Sequence, residues 1–199
     1  MPKGDRADWM IEKLSELGVE EFVPLAAARS VVLPEGKGKR DRWVRIATEA
    51  AKQSRRAGVM RITELTSLAV ALRRATGGTT ATDALPEAPP RQVWFLSTES
   101  EDPTPIGRAV ADLPTGVTVT AFVGPEGGWT APEVEQFVSA GATAVRLTST
   151  ILRVETAAVT AAAIVACLRA SRVAGRDPDA LDARRGHDDH PDQTTGERA

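Results

Sequence analysis

A chain of 199 residues with 42% hydrophobic content is long and apolar enough for one sizeable core, which excludes an intrinsically disordered protein. Its net charge of −2 is unevenly spread: residues 177–199 hold seven acids and three arginines, and the rest of the chain carries 22 basic against 20 acidic residues. The body is therefore slightly basic, at +2, and the tail acidic, a balance that permits nucleic-acid binding without demanding it.

The N-terminus, Met1 to Asp5, lacks the apolar stretch of a signal peptide. Residues 8–17 read as a helix, with Met10, Leu14 and Leu17 at helical spacing and Gly18 as its stop. Phe22 to Leu25 reads as a short strand, and residues 34–40 (PEGKGKR) as a solvated basic loop. A longer helix is expected over 41–56, burying Trp43, Ile46, Ala47 and Ala50, and a third over 66–75 around Leu68 and Leu72. Residues 76–90 are rich in Gly, Thr and Pro and read as an irregular connection. Beyond them the pattern turns regular. Strands are expected at 93–96, 117–123 and 144–147, and helices at 105–112, 131–140 and 155–171. Such alternation implies an α/β fold with a largely parallel sheet covered on both faces. Cys167, in the last, Ala-rich segment, is expected to be a buried structural thiol. No apolar run is expected to approach the ~20 residues of a membrane span, which points to a cytoplasmic protein without membrane contact. From about 175 the chain is nearly devoid of apolar residues, so 1–174 is expected to fold and 175–199 to form a disordered acidic tail. Both histidines, His187 and His190, fall in that tail, and no metal is expected.

Two segments carry the chemistry. Gly124-Pro125-Glu126-Gly127-Gly128-Trp129-Thr130 follows a strand and leads into a helix, where Thr130 and Glu133 have the T-x-x-E spacing of a capping box. Glycines there let the backbone approach a ligand closely, at the strand ends where open α/β sheets bind ligands. An ordinary tight turn fits the composition equally well. The loop matches neither a P-loop nor G-x-G-x-x-G, which disfavours those modes of phosphate binding. The second segment runs from Leu147 to Ala157. It also leaves a strand and opens a helix, with Arg153 and Glu155 at the entrance, where backbone N–H groups are free. A first-turn acid with a surface partner is the plainer reading of that pair.

Together, GPEGGWTAPEVE and the later ILRVETAA resemble the ribosomal RNA small subunit methyltransferase E family, within the SPOUT superfamily. The resemblance continues in order through Lys3-Gly4-Asp5-Arg6, Glu12-Lys13, Glu16-Leu17-Gly18-Val19, Arg29-Ser30-Val31-Val32 and Glu49 to Arg56, and covers roughly residues 3–173. It implies a trefoil-knotted SPOUT domain, a topology that pattern reasoning would never propose because knots are so rare. It also implies a homodimer, with small residues such as Ala157, Ala158, Ala161, Ala162 and Ala163 letting the last helix thread past neighbouring backbone.

The resemblance further implies S-adenosylmethionine as cofactor, held by Leu96, Gly124, Pro125, Glu126, Gly127, Gly128, Leu147, Thr148, Ile151, Leu152 and Arg153. The reaction it implies is methylation of uridine N3 in 16S ribosomal RNA of the small subunit, on a base that is unpaired or flipped out. Arg153 would hold the uracil or its phosphate, and Glu155 would act as base or anchor Arg153. RNA would meet Lys3, Lys13, Arg29, Ser30, Gln53 and Arg56, with Glu49, Gln53 and Arg56 sharing one helix face. Two departures stand out: Thr148 replaces the family's Gly after Leu147, and the family's N-terminal PUA-type barrel has no counterpart before Met1. They motivate a noncatalytic RNA-binding or assembly protein as one alternative; a SPOUT enzyme with another target, such as a tRNA ribose 2′-hydroxyl, is a second, against which the upstream ELGV and QSRR matches argue.

Overall fold

The computed structural model describes residue 2 and residues 4–30, 37–78, 90–100 and 102–174. Lys3, most of the Gly/Thr/Pro-rich connection and the acidic tail with both histidines lie outside the described residues.

Apolar residues at helical spacing bury one face of α1 (Asp5–Glu16) through Ala7, Met10, Ile11 and Leu14. The helix stops where the Val19 N–H closes back on the Leu14 carbonyl at 3.0 Å, past Gly18. Expected as one strand, residues 22–25 form two, β1 (Glu21–Phe22) and β2 (Leu25–Ala26). Pro24 between them has no N–H to give, and its carbonyl accepts the Thr66 N–H at 2.9 Å. The helix α2 (Lys37–Gln53) begins four residues earlier than expected, so the C-terminal half of the basic stretch 34–40 is helical. Trp43, Ala47 and Ala50 are buried as expected. The same helix ends three residues early because Arg55 takes a left-handed conformation, φ 54°, and the Arg56 N–H turns back to the Ala51 carbonyl at 2.9 Å. Two further short strands escaped the sequence reading, β3 (Arg61–Ile62) and β4 (Thr66–Ser67); they pair in parallel with β1 and β2. The strand β4 uses the first two residues of the expected third helix, leaving α3 as Leu68–Ala75.

The second half follows the expected alternation with one unpredicted strand, β6, which takes the first residue of the expected helix at 105–112: β5 (Arg91–Leu96), β6 (Thr104–Pro105), α4 (Ile106–Ala111), β7 (Thr118–Phe122), α5 (Ala131–Ser139), β8 (Thr143–Arg146) and α6 (Val154–Ala174). One sheet, ordered β6-β8-β5-β7 and parallel throughout, has β5 at its centre. Period-two alternation along β5 splits the core. Val93 and Phe95 pack with α3 and α5 on one face, against Leu68, Leu72, Phe122, Trp129 and Phe137. Trp94 packs on the other face with Ile106, Val110, Val145 and Ala161 of α4, β8 and α6. A third cluster joins α1 and α2 to α6 through Met10, Ile11, Trp43, Ala158 and Ala162.

Two expectations about α6 are corrected. Val154–Ser171 is long and apolar enough, by length and composition alone, to cross a membrane. The sequence reading missed this because small alanines, rather than large aliphatic residues, make up the run. One side of it packs on α1 and α4. Cys167 is exposed rather than buried. It lies one turn past Ile164, beyond the stretch of α6 that the third cluster and the sheet cover.

Candidate active site

Because β5 lies between β7 and β8 in a parallel sheet, the loops leaving the carboxyl ends of all three strands emerge side by side at one edge. This is the position where open parallel sheets bind ligands. The loop from β7 is Val123 to Thr130, and that from β8 is Leu147 to Arg153. Both motif segments thus meet at one edge of one sheet. The third contributor, after β5, is Ser97 to Ser100, which the sequence reading left out apart from neighbouring Leu96. Ser97 Oγ accepts the N–H groups of Glu99 at 3.2 Å and Ser100 at 3.1 Å, closing a turn. The turn sets the Glu99 carboxylate beside Gly128, 3.8 Å from where a Cβ would stand. The missed signal was a Ser-x-x-Ser directly after the central apolar strand.

The glycine loop is fixed by what its glycines lack. A Cβ on Gly124 would lie 3.1 Å from the Trp129 ring, so only glycine lets this indole fold under the loop. The ring is buried, stacks edge-on against Phe137 and donates its Nε1–H to the Leu96 carbonyl at 3.0 Å. Trp129 thereby ties the loop of β7 to the end of β5. Gly128 holds φ +69°, a left-handed conformation that side chains disfavour. The capping box forms as the spacing predicts: Glu133 Oε2 accepts the N–H and the hydroxyl of Thr130, each at 2.8 Å.

Glu133 does more than cap α5. Its Oε1 accepts the Ala28 N–H at 2.8 Å, tying the turn after β2 to the glycine loop. Burial alone would raise this carboxyl. The N–H groups of Thr130 and Ala28, the Thr130 hydroxyl and the nearby Arg29 charge outweigh burial and hold it below the usual carboxylate range. A depressed folded value means stability that is complete above the unfolded value of about 4.3 and lost as pH falls through the folded one. Glu133→Gln sets an amide –NH2 against donors and is expected to cost about 1–3 kcal/mol. Thermal melts check this: wild type should lose stability below about pH 4.5, and Glu133→Gln should start lower and lose less.

In the loop after β8, Thr148 replaces the glycine that the resemblance led one to expect. The hydroxyl folds back locally, donating to the Thr150 carbonyl at 2.8 Å. Among the described residues only Arg55 has a positive φ without being glycine, so Thr148 sits in a backbone region open to any residue. Ile151 is 85% exposed, Leu152 is half-buried and Arg153 is exposed. The Arg153 carbonyl accepts the first α6 N–H, from Ala157 at 2.8 Å. No side-chain partner engages its guanidinium among the described residues. Glu155 is buried, and its ion partner is Arg6 at 3.4 Å, not Arg153. The two were expected to pair because they are near neighbours in sequence. At the start of α6, Glu155 instead faces α1.

A family model described as an RNA methyltransferase domain matches residues 1–166. The ribosomal RNA small subunit methyltransferase E of Bacillus subtilis is 37% identical over 160 residues, 79% of this chain and 59% of the relative. The enzyme of the same name from Mycobacterium bovis is 34% identical over 174 residues, 84% of this chain and 61% of the relative. The chain belongs to the ribosomal RNA small subunit methyltransferase E family. It spans about three fifths of the length of these curated relatives. The crystal structure of the Neisseria gonorrhoeae ribosomal RNA small subunit methyltransferase E, bound to S-adenosyl methionine, superposes with a TM-score of 0.62 at 28% identity. The match covers 87% of this chain and 62% of that one.

This methyltransferase E family member uses several of its expected RNA-binding side chains internally. Lys13 donates to Glu12 at 2.8 Å and to Glu16 at 2.8 and 3.0 Å. The Glu12 and Glu16 carboxylates raise its ammonium above the ordinary lysine value. Arg56 is half-buried and donates to the carbonyls of Ser15 at 3.2 Å and Val19 at 2.6 Å, which fastens the end of α2 to the turn after α1. Arg56 therefore does not share a free helix face with Glu49 and Gln53, and Glu49 pairs with Lys52 at 2.8 Å. Arg29 donates to the Gly127 carbonyl at 2.6 Å, and Ser30 Oγ accepts the Ala27 N–H at 3.3 Å. Gln53 is exposed at the end of α2.

Proposed function

We propose that the chain binds S-adenosylmethionine in the crevice at the ends of β5, β7 and β8 and methylates N3 of a uridine in 16S ribosomal RNA of the small subunit. The observation that carries this reading is the convergence of Gly124–Gly128 and Leu147–Arg153 at the centre of one parallel sheet. The residues fit the cofactor. Gly124, Gly127 and Gly128 carry no side chains, which lets Trp129, Arg29 and Glu99 pack against the loop and keeps its backbone free of side-chain bulk where a ligand would approach. Leu96, Pro125, Glu126, Leu147, Thr148, Ile151, Leu152 and Arg153 complete its surroundings.

When bound, the cofactor supplies an electrophilic methyl group. The chain's own task is to bind, align and exclude water. Uridine N3 carries a proton that must leave as the methyl arrives. Arg153, exposed and without a side-chain partner among the described residues, is placed to hold a uracil oxygen and stabilise the developing negative charge. Glu155, two residues on, is the proposed base; it is buried and ion-paired with Arg6 rather than with Arg153.

The same reading includes a trefoil knot threaded by α6, a homodimer and work in the cytoplasm. A pairing of chains is supported by α6, since only 22% of Val154–Ser171 is buried within one chain. Light scattering is expected to give twice the mass of a single chain, and a monomer at micromolar concentration contradicts the dimer. The test of the function is tritium transfer from labelled cofactor to purified small subunits, followed by digestion to nucleosides. Label in 3-methyluridine is expected. Label on a ribose hydroxyl or another base, or none, overturns the assignment.

A further inference from the structure

Arg29 occupies an unusual place for a residue expected to meet RNA. Its backbone belongs to a turn closed by the Ser30 N–H on the Ala27 carbonyl at 3.0 Å. The preceding residue is pinned by the buried Glu133 carboxylate, which accepts the Ala28 N–H at 2.8 Å. From that fixed base the guanidinium donates to the Gly127 carbonyl at 2.6 Å. The stem packs as closely as the head: a Cβ on Gly127 would lie 3.2 Å from both Cβ and Cδ of Arg29. Any side chain at Gly127 would therefore crowd the arginine stem and push it off the loop. Within the loop itself, the Gly128 N–H to the Pro125 carbonyl at 2.9 Å is the backbone bond that closes the turn. Three glycines in five residues carry much conformational entropy to be held by so little.

We propose that Arg29 is a positioning residue for the cofactor loop: it clamps Gly127 in the conformation that receives S-adenosylmethionine, and it is not an RNA phosphate contact. The inference rests on the proposed cofactor site and deepens it. It makes the turn between β2 and α2 part of cofactor binding, although it lies almost a hundred residues away in sequence. The charge on Arg29 has a local counterpart in ionised Glu133, so Glu133, the turn and the glycine loop form one braced unit.

The test uses the full chain as wild type, Arg29→Ala and Arg29→Lys. Calorimetric titration with S-adenosylmethionine is expected to show a tenfold or greater loss of affinity in Arg29→Ala, as for a lost charge-assisted hydrogen bond. A partial loss is expected in Arg29→Lys, which keeps the charge but not the flat fork. Thermal stability should hardly move, because Arg29 is exposed. Small-subunit binding should keep its affinity and salt slope in both variants. Amide exchange without cofactor reads the clamp directly, with Gly127, Gly128 and Trp129 expected to exchange faster in Arg29→Ala. Unchanged exchange, or unchanged cofactor affinity beside a salt slope lowered by about one, overturns the proposal and returns Arg29 to the RNA face. If wild type does not bind the cofactor at all, the proposed function fails, and the exchange rates alone decide the clamp.

Discussion

Trp129→Ala is expected to lower folding stability by about 3–5 kcal/mol, the usual cost of emptying a large aromatic site. The indole is 7% exposed and sits in the core cluster with Phe95, Phe122 and Phe137. Its removal leaves a cavity beneath α5, strips Phe137 of an edge-on partner and frees the Leu96 carbonyl. Typical domains have only about 5–15 kcal/mol in total, so a large fall in the urea midpoint should result. Trp129→Phe separates packing from bonding: it keeps most of the apolar contact but lacks the N–H. It should fold more stably than Trp129→Ala and still loosen the join between β5 and the glycine loop. A stability loss below about 1 kcal/mol in Trp129→Ala contradicts the role given to this ring.

Arg153→Ala should leave cofactor affinity near wild type and lower methyl transfer to small subunits by about 100-fold or more, as when one preorganised donor is removed from developing charge. The reason is placement. Arg153 stands in the last turn before α6, exposed, with its guanidinium uncommitted among the described residues. Glu155, which could have neutralised it, is taken by Arg6. Kinetics across RNA concentrations distinguish two roles. A fall in kcat with KM unchanged places Arg153 at the transition state, and a rise in KM alone places it on ground-state RNA. Wild-type values of both refute its role.

Most of the architecture was legible because it rests on strong periodic signals. The alternation of Val93, Trp94 and Phe95 between two core layers follows from the period of a strand, and the Thr130–Glu133 cap from local chemistry. The two-residue strands were not legible. Pairs such as Arg61–Ile62 have too few residues to show a period, and their existence depends on β1 lying alongside. For the same reason Arg56, Lys13 and Arg29 read as a basic face. A sequence shows their charge but not the carbonyls and carboxylates that absorb it. Glu155 pairs with Arg6 across 149 positions, and Arg29 meets Gly127 across 98. Such contacts exist only once α1 and the turn after β2 have packed against the sheet domain. Thr148 shows the converse. A residue that looks obstructive in sequence is accommodated by the chain path, because its hydroxyl bonds Thr150 and its backbone needs no glycine.

The central claim is that the crevice beside Gly127 receives S-adenosylmethionine, and a calorimetric titration of wild type and Gly127→Val tests it most directly. Gly127 is exposed, so the substitution removes no core packing, while its branched side chain displaces Arg29 and stiffens the loop away from its glycine conformation. Saturable binding by wild type, lost in a Gly127→Val protein that melts within a few degrees of it, is the predicted result. Equal affinity in the two proteins, or no binding by wild type, would contradict it.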